Sequence, residues 1–345
     1  MKSLHALSLE ELSQALVSQG EKPFRAKQIL KWIYEKKVCE WEGMTDLQKG
    51  LREQLKTQFS LSSLYQKQIE VSKEGDTSKF LWGLSDGKLV ESVLICSEER
   101  RTVCVSSQVG CGARCAFCAS GKGGFVRNLS AAEIMEQVYQ IDRVLHAKSE
   151  RVSHVVFMGM GEPFENYDNV VKAIHLLNDP ARLGISQRRM TVSTVGIIEG
   201  IHRFTKEGLS VNLVLSLHAP NQHIRKKIIP YARKYPLEEI IRAMIAFSKE
   251  SRRDITYEYT LMEGINDLPE HAEELARLLR GQQCTVNLIP YNPVAGLTLK
   301  RPEKEAIEAF REILVSEGIV TTWRYTKGKD IAAACGQLAL KQAIS

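Results

Sequence analysis

The spacing of apolar and polar positions changes twice along the chain, and each change marks a different kind of local structure. Residues 1–62 carry apolar positions at helical intervals. Ser8-Leu-Glu-Glu11 and Thr45-Asp-Leu-Gln48 both have the form of a capping box, and Pro23 suits a first helical turn. These signals predict a small helical module with one helix over about 24–35. Over residues 63–95 the period falls to two. Ser78-Lys-Phe-Leu-Trp-Gly83 and Leu89-Val-Glu-Ser-Val-Leu-Ile-Cys96, separated by Asp86-Gly87, read as short strands that link the helical module to the main body, with a domain boundary near 95.

From 96 to 345, strand-like runs alternate with amphipathic stretches. Strands are predicted over 101–106, 153–158, 188–193, 211–217, 255–261 and 284–289, and Ser130-Ala-Ala-Glu133 opens a long helix after the first of them. Six βα units with short connections predict an α/β fold with a parallel, right-handed wound sheet. An incomplete (βα)6 barrel is preferred here to a flat doubly wound sheet. In such barrels the chemistry gathers at the carboxyl ends of the strands.

Composition adds bounds. With 43% hydrophobic and 26% charged residues over 345 positions, the chain is an ordinary globular sequence. It has no apolar run of about 18 residues and no signal-peptide build at Met1-Lys-Ser-Leu-His5, so a cytoplasmic protein without membrane contact is expected. Its 8 cysteines are too sparse for a disulfide scaffold, and Cys39, Cys96 and Cys284 fit core filling. A net charge of 47 − 41 = +6 suits a polyanionic partner and equally many enzymes of neutral substrates. Near residues 24–37, Arg25, Lys27, Lys31, Lys36 and Lys37 accompany Trp32 and Tyr34. Both a nucleic-acid contact and a solvated basic face over buried aromatics fit that pattern.

The candidate chemistry centres on Cys111-Gly-Ala-Arg-Cys115-Ala-Phe-Cys118. Three cysteines at CxxxCxxC spacing can cap three irons of an iron-sulfur cubane, leaving the fourth open for a substrate. A zinc site would want a fourth Cys or His at matched spacing, and none follows closely. Polar groups recur at the predicted strand ends: Met158-Gly-Met-Gly-Glu-Pro163, Thr191-Val-Ser-Thr-Val195, Leu215-Ser-Leu-His218 and Asn287-Leu-Ile-Pro-Tyr-Asn-Pro293. Singly, each suits a turn or a cap. In register with the cysteine loop they suit a ligand site.

Together with Cys104-Val-Ser-Ser-Gln-Val-Gly-Cys111, Ser216-Leu-His-Ala-Pro-Asn221 and Ala333-Ala-Cys-Gly-Gln337, these motifs resemble the radical S-adenosylmethionine (SAM) RNA adenine methyltransferases, the RlmN and Cfr family. The resemblance runs from Glu21-Lys-Pro-Phe-Arg-Ala26 nearly to the C-terminus, and the adenine-C2 branch is the nearer one. It implies that Cys111, Cys115 and Cys118 hold a [4Fe-4S] cluster with SAM on its open iron. It implies SAM contacts at Gly161, Glu162, Ser193, Ser216, Leu217, His218 and Asn292. Cys335 becomes the methyl-carrying cysteine, Cys104 the second catalytic cysteine and Glu91 the proton acceptor. From the residues alone, Cys104 would read as a strand core residue and Glu91 as an exposed structural one.

In the implied reaction two SAM are used per turnover. One methylates Cys335; the other is cleaved by an electron from the cluster, and its 5′-deoxyadenosyl radical activates that methyl group, which adds to carbon 2 of adenine. Release leaves a Cys104–Cys335 disulfide. The implied partners are 23S ribosomal RNA, tRNA and an electron donor such as flavodoxin or ferredoxin, with a monomer expected. Basic runs at Lys122 to Arg127, Gln187-Arg-Arg189, Arg225-Lys-Lys227 and Arg233-Lys234 are expected to hold phosphates while the adenine is extruded. Two alternatives stand beside this: a carbon-8 methyltransferase like Cfr, which confers antibiotic resistance and against which Glu162-Pro163 argues, and a cluster-bearing RNA-binding protein without turnover. One departure from the family pattern is Ala332, where Asp-Ile-Asp-Ala-Ala-Cys would place an aspartate.

Overall fold

The computed structural model describes residues 1–323 and 327–338. Its N-terminal part is helical, as the apolar spacing predicts: β1 (Lys2–Ser3), α1 (Leu9–Val17), α2 (Phe24–Leu30), α3 (Lys49–Gln58) and β2 (Phe59–Ser60), with β1 and β2 paired in parallel. The Ser8 box forms, its hydroxyl accepting from Glu11 N while Glu11 accepts from Ser8 N. The Thr45 box does not. Residues 44–47 close a tight turn, the Asp46 carboxylate takes the Trp32 indole N–H, and the helix begins only after Gln48. After Leu30 the backbone widens into a π turn over Lys31–Glu35 that keeps Ile33 and Tyr34 buried.

A buried polar seam joins this module to the helix α5 of the main body (Ala131–His146). His5 Nδ1 meets Tyr34 Oη at 2.6 Å, Tyr139 Oη donates to Ile33 O at 3.0 Å, and Arg182 donates to Leu7 O and Tyr34. Tyr139 and Arg182 bond across the seam to Ile33, Leu7 and Tyr34, while His5 and Tyr34 bond to each other within the module, so the network ties the two parts together from both sides.

Next come β3 (Leu64–Val71), β4 (Thr77–Leu84) and β5 (Leu89–Cys96), an antiparallel meander, then β6 (Arg101–Cys104). β5 pairs with β6, so the linking strands extend the main sheet without a break. A hairpin of β7 (Gln108–Gly110) and β8 (Phe125–Asn128) brackets the cysteine loop and the short α4 (Ala119–Lys122). After α5 the chain alternates through β9 (His154–Phe157), α6 (Tyr167–Asn178), β10 (Met190–Thr194), α7 (Ile198–Lys206), β11 (Asn212–Ser216), α8 (Gln222–Ile228), α9 (Leu237–Ser251), β12 (Ile255–Leu261), α10 (Pro269–Leu279), β13 (Cys284–Pro290), α11 (Lys304–Ser316) and β14 (Val320–Trp323).

The ten-stranded sheet has the order β14-β13-β12-β11-β10-β9-β6-β5-β4-β3 and is parallel from β6 to β14, with β3 and β14 as its open edges. The six predicted barrel strands are all present, and the sheet is the incomplete α/β barrel expected. β14 is a seventh parallel strand that the pattern did not predict, because Val-Thr-Thr-Trp at an exposed edge has no apolar face to show. One face of the central strands is buried through Val155, Val192, Leu213, Leu215, Tyr257, Val286 and Leu288, which the register places side by side. Each such side chain contributes roughly 1.5–3 kcal/mol by leaving water. Among the described residues no helix is long and apolar enough to cross a membrane.

Candidate active site

The β7–β8 hairpin builds the cysteine loop from backbone contacts. Cys111 N donates to Gly124 O (2.9 Å), Ala116 N to Ile228 O (2.8 Å) and Ala119 N to Gly336 O (2.8 Å). Gly110 sits at φ +74°, where a Cβ would stand 1.9 Å from Gly124 O, so no other residue fits that approach. Burial pushes the Cys111 thiol up to about 12 and raises Cys115 and Cys118 as well. Backbone N–H groups of Ala113 and Arg114 face the Cys111 sulfur, and those of Ser120 and Gly121 face Cys118. Buried sulfurs ringed by amide donors are suited to thiolates whose charge a metal offsets.

No three His, Cys, Asp or Glu side chains among the described residues converge as a single metal ion requires. A cubane makes no such demand, since each thiolate caps a different iron. The three loop cysteines at CxxxCxxC spacing fit that donor set.

The strand ends face this loop. Gly161 (φ +108°) lets the turn after β9 press on Gln108, whose Cβ would lie 2.7 Å from an added Cβ, and Gln108 Oε1 accepts from Glu162 N at 2.9 Å. The buried Glu162 carboxylate accepts from Phe164 N (3.0 Å) and Val195 N (2.8 Å), yet burial still raises it to about 7. Ser193 and Ser216 meet hydroxyl to hydroxyl at 3.0 Å across β10 and β11. Leu217 is buried, and His218 follows at φ +54°, accepting from Thr260 N at 3.0 Å and packing edge-on against Phe117. Burial drives His218 down to about 3, so it stays neutral. Asn292 lies beyond β13 and donates to Cys335 O at 3.2 Å, while its Oδ1 is buried without a hydrogen bond. Tyr291 Oη and Arg225 Nη1 share that condition. Buried polar atoms left unsatisfied at adjacent strand ends are the mark of a site that a polar ligand completes.

The segment 327–338 covers these ends. Cys104, at the end of β6, and Cys335 line one cavity of about 280 Å³ with Cys118, Met158, Gly159 and Asn292. Glu91 is buried, not exposed. It lies on the face of β5 shared with Val93, 3.6 Å from Lys79 Nζ and outside the lining of that cavity. Lys79 also donates to Ile331 O at 2.7 Å, and Val93 packs with Ala333 and Leu338. The structure thus brings Cys104, Cys118, Cys335 and Asn292 around one space and places Glu91 behind the segment that carries Cys335.

Three expectations about charge fail. Arg225 is fully buried beneath the strand ends, leaving Lys226 and Lys227 as the exposed members of its run. Arg188 and Arg189 precede β10, at the opposite end of the sheet from the site. Arg127 is engaged by Asp86 and Glu133. Lys79 was missed because one lysine within an alternating strand resembles an edge residue; its partners Glu70, Glu91 and Ile331 O come from other elements.

An open, mostly parallel sheet with three thiols in a loop after its first parallel strand, and an acid and small residues at the next strand ends, defines a radical SAM enzyme. The radical SAM superfamily model matches residues 105–279, and the model of the ribosomal RNA large subunit methyltransferase N-terminal domain matches residues 2–61. The chain is 62% identical to the probable dual-specificity RNA methyltransferase RlmN 2 of Protochlamydia amoebophila, covering 96% of this chain and 93% of the relative. It is 46% identical to the corresponding RlmN protein of Thermoanaerobacter sp., over 99% and 98%. A crystal structure of a radical SAM methyltransferase from Sphaerobacter thermophilus matches with a TM-score of 0.96 at 42% identity, covering 98% of this chain and 99% of that one. The chain belongs to the RlmN family of radical SAM RNA methyltransferases, whose cofactors are a [4Fe-4S] cluster and SAM.

Proposed function

We propose that this protein methylates carbon 2 of adenosine in 23S ribosomal RNA and, in tRNA, the adenosine 3′ of the anticodon. The observation that carries the proposal is the pair of thiols, Cys104 and Cys335, lining one cavity beside a cluster-loop cysteine. At about 280 Å³ that cavity lies at the lower edge of the usual range of ligand pockets, roughly 300–1,000 Å³, which suits one flat base rather than a length of strand.

Cys111, Cys115 and Cys118 would hold the cluster, with Gly161, Glu162, Ser193, Ser216, Leu217, His218 and Asn292 around SAM. Bound there, cluster and SAM supply one-electron chemistry at a ring carbon too electron-poor for displacement. The protein's own share is as follows. Cys335, exposed on its segment, accepts a methyl group on sulfur and presents it to the base. The adduct formed when that carbon joins the ring must lose one electron, for which the bound cluster would be the acceptor, as well as the ring proton. Glu91 would take the proton through groups that reach the cavity, its own carboxylate lying outside the lining. The Cys104 thiolate then attacks the Cys335 sulfur, the electron pair of the carbon–sulfur bond stays with carbon, and a proton completes the methyl group. A Cys104–Cys335 disulfide remains for external thiols to reduce.

Exposed Lys122, Lys226, Lys227, Arg233 and Lys234 would contact phosphates. Residues 1–62 would serve as the accessory RNA-binding part, 63–95 as the link and 96–345 as the catalytic barrel, acting in the cytoplasm as a monomer with a flavodoxin or ferredoxin as reductant. Nucleoside mass spectrometry of rRNA and tRNA incubated with the reconstituted enzyme tests this. 2-Methyladenosine in both RNAs is expected; 8-methyladenosine would move the reading to the carbon-8 branch, and no product would favour an RNA-binding protein without turnover.

A further inference from the structure

Arg225 is the largest charged side chain buried at the strand ends, and it has an unusual surrounding. Its Nε donates to Leu217 O (3.2 Å), and its Nη2 to Val195 O (2.5 Å) and Ser216 O (3.3 Å). Its Nη1 is buried with no hydrogen-bond partner. Capping three strand-end carbonyls accounts for Nε and Nη2 and leaves Nη1 unexplained. A buried donor on a cation is among the more expensive groups to leave unmet.

The surroundings suggest what would meet it. Val195 links Arg225 to Glu162: its N–H donates to the Glu162 carboxylate at 2.8 Å, and its carbonyl accepts from Arg225. A buried acid and a buried cation thus flank a single residue after β10. On the other side, α8 is tied to the cysteine loop through Ala116 N and Ile228 O (2.8 Å), one turn beyond Arg225. Ile224 and Ile228 pack with Phe117, Cys115 and Cys118. An anion and a cation set a residue apart beside a cluster loop complement a zwitterion, the α-ammonium and α-carboxylate of an amino acid.

We infer that Arg225 is a ligand-binding residue whose Nη1 donates to the carboxylate of the methionine part of SAM, opposite Glu162. This rests on the proposed place of Glu162 beside SAM, and gives the α-amino group to Glu162. Lysine could supply the charge at this position, but not three strand-end bonds and a free donor from one planar group.

The test uses anaerobically reconstituted holoenzyme and two probes, SAM and decarboxylated SAM, with affinity read by equilibrium dialysis. In Arg225→Met, SAM affinity should fall about ten- to hundredfold, the usual weight of a charge-assisted bond, while affinity for decarboxylated SAM stays unchanged. Equal loss for both probes would make Arg225 a packing residue, and no loss for either would remove it from the site; both overturn the inference. Should Arg225→Met take up less iron, Arg225→Lys carries the same test, since the preference for SAM over decarboxylated SAM should shrink at least threefold. An unchanged preference there overturns the inference. Neither probe contains RNA, so this outcome and the nucleoside assay fail independently.

Discussion

The two cysteine-bearing segments that meet at the site are held in opposite ways. The cluster loop is fixed by backbone against backbone: Gly110 against Gly124, Gly121 with an added Cβ 2.9 Å from Arg114 Cα, and three main-chain hydrogen bonds to neighbouring elements. The segment 327–338 shares one of those bonds, through Gly336 O, and is otherwise moored by side chains, most of them its own, that join it to elements remote in sequence. Lys327 Nζ reaches Asp76 Oδ2 (2.8 Å) and Cys96 O (2.9 Å), Lys73 N donates to Asp330 (2.8 Å), Lys79 holds Ile331 O, and Gln337 Nε2 donates to Pro293 O (2.8 Å). A loop that holds metal needs preset sulfurs, which backbone packing supplies. A sulfur that must meet SAM and then RNA is better carried on a segment whose moorings are long side chains.

The sharpest way to break this comparison is to remove one thiol from each segment. Cys115→Ala should abolish cluster absorption, cutting iron from about four per chain, and with it SAM cleavage. Cys335→Ala should keep iron and cleavage but yield neither product nor RNA adduct. Cys104→Ala should also yield no product, yet accumulate RNA covalently joined to Cys335, seen as an adenosine-bearing peptide after nuclease digestion. Normal turnover by Cys104→Ala would make its role structural.

Glycines give a second, smaller contrast. Gly110→Ala forces Cβ into a backbone carbonyl at φ +74° and should lower iron uptake several-fold. Gly328→Ala meets the Thr77 methyl at 2.7 Å at φ +66°, so it should slow product formation while iron uptake stays intact. Equal iron loss in both variants would mean that the two segments fold as one unit.

The same contrast explains what was legible in the sequence. The cluster loop, the Ser8 and Ser130 boxes and the six barrel strands are set by residues within a few positions of one another, so spacing alone reveals them. The Cys335 segment has no period, and its place depends on Lys79, Asp76 and Asn292, all remote in sequence; the resemblance pointed to Cys335 where pattern could not. Arg225 was misread for a related reason. Its neighbours Lys226 and Lys227 are exposed, and on so short a helix as α8 the inward position cannot be told from composition. Thr45 had the right letters for a cap, but Asp46 was already engaged by Trp32.

Lys79→Met sharpens the comparison from the mooring side. It removes the bond to Ile331 O and the ion pairs to Glu91 and Glu70 (both 3.6 Å) without touching the cysteine loop. Iron content and SAM affinity should be unchanged, and product formation should fall about tenfold, the weight of one charge-assisted bond. Loss of iron in this variant would show that the mooring supports the cluster loop as well.

The smallest expected effect is at Ala332, which sits at φ +51°, just before the two alanines that lead to Cys335. The left-handed conformation costs a residue with a Cβ about 1–2 kcal/mol, and aspartate and asparagine bear it better than alanine because their side chains bond locally. The resemblance to the family implies an aspartate there. Ala332 and Lys79 also line a common pocket, so a carboxylate at 332 would face the lysine that holds the segment. Ala332→Asp should therefore slow hydrogen exchange of the 327–338 amides about fivefold, for a gain near 1 kcal/mol, and raise turnover no more than a few-fold. Ala332→Asn separates the causes. Equal protection in both variants assigns the gain to the backbone, protection in the aspartate variant alone assigns it to Lys79, and no change in either would mean that this segment is held by its moorings whatever residue stands at 332.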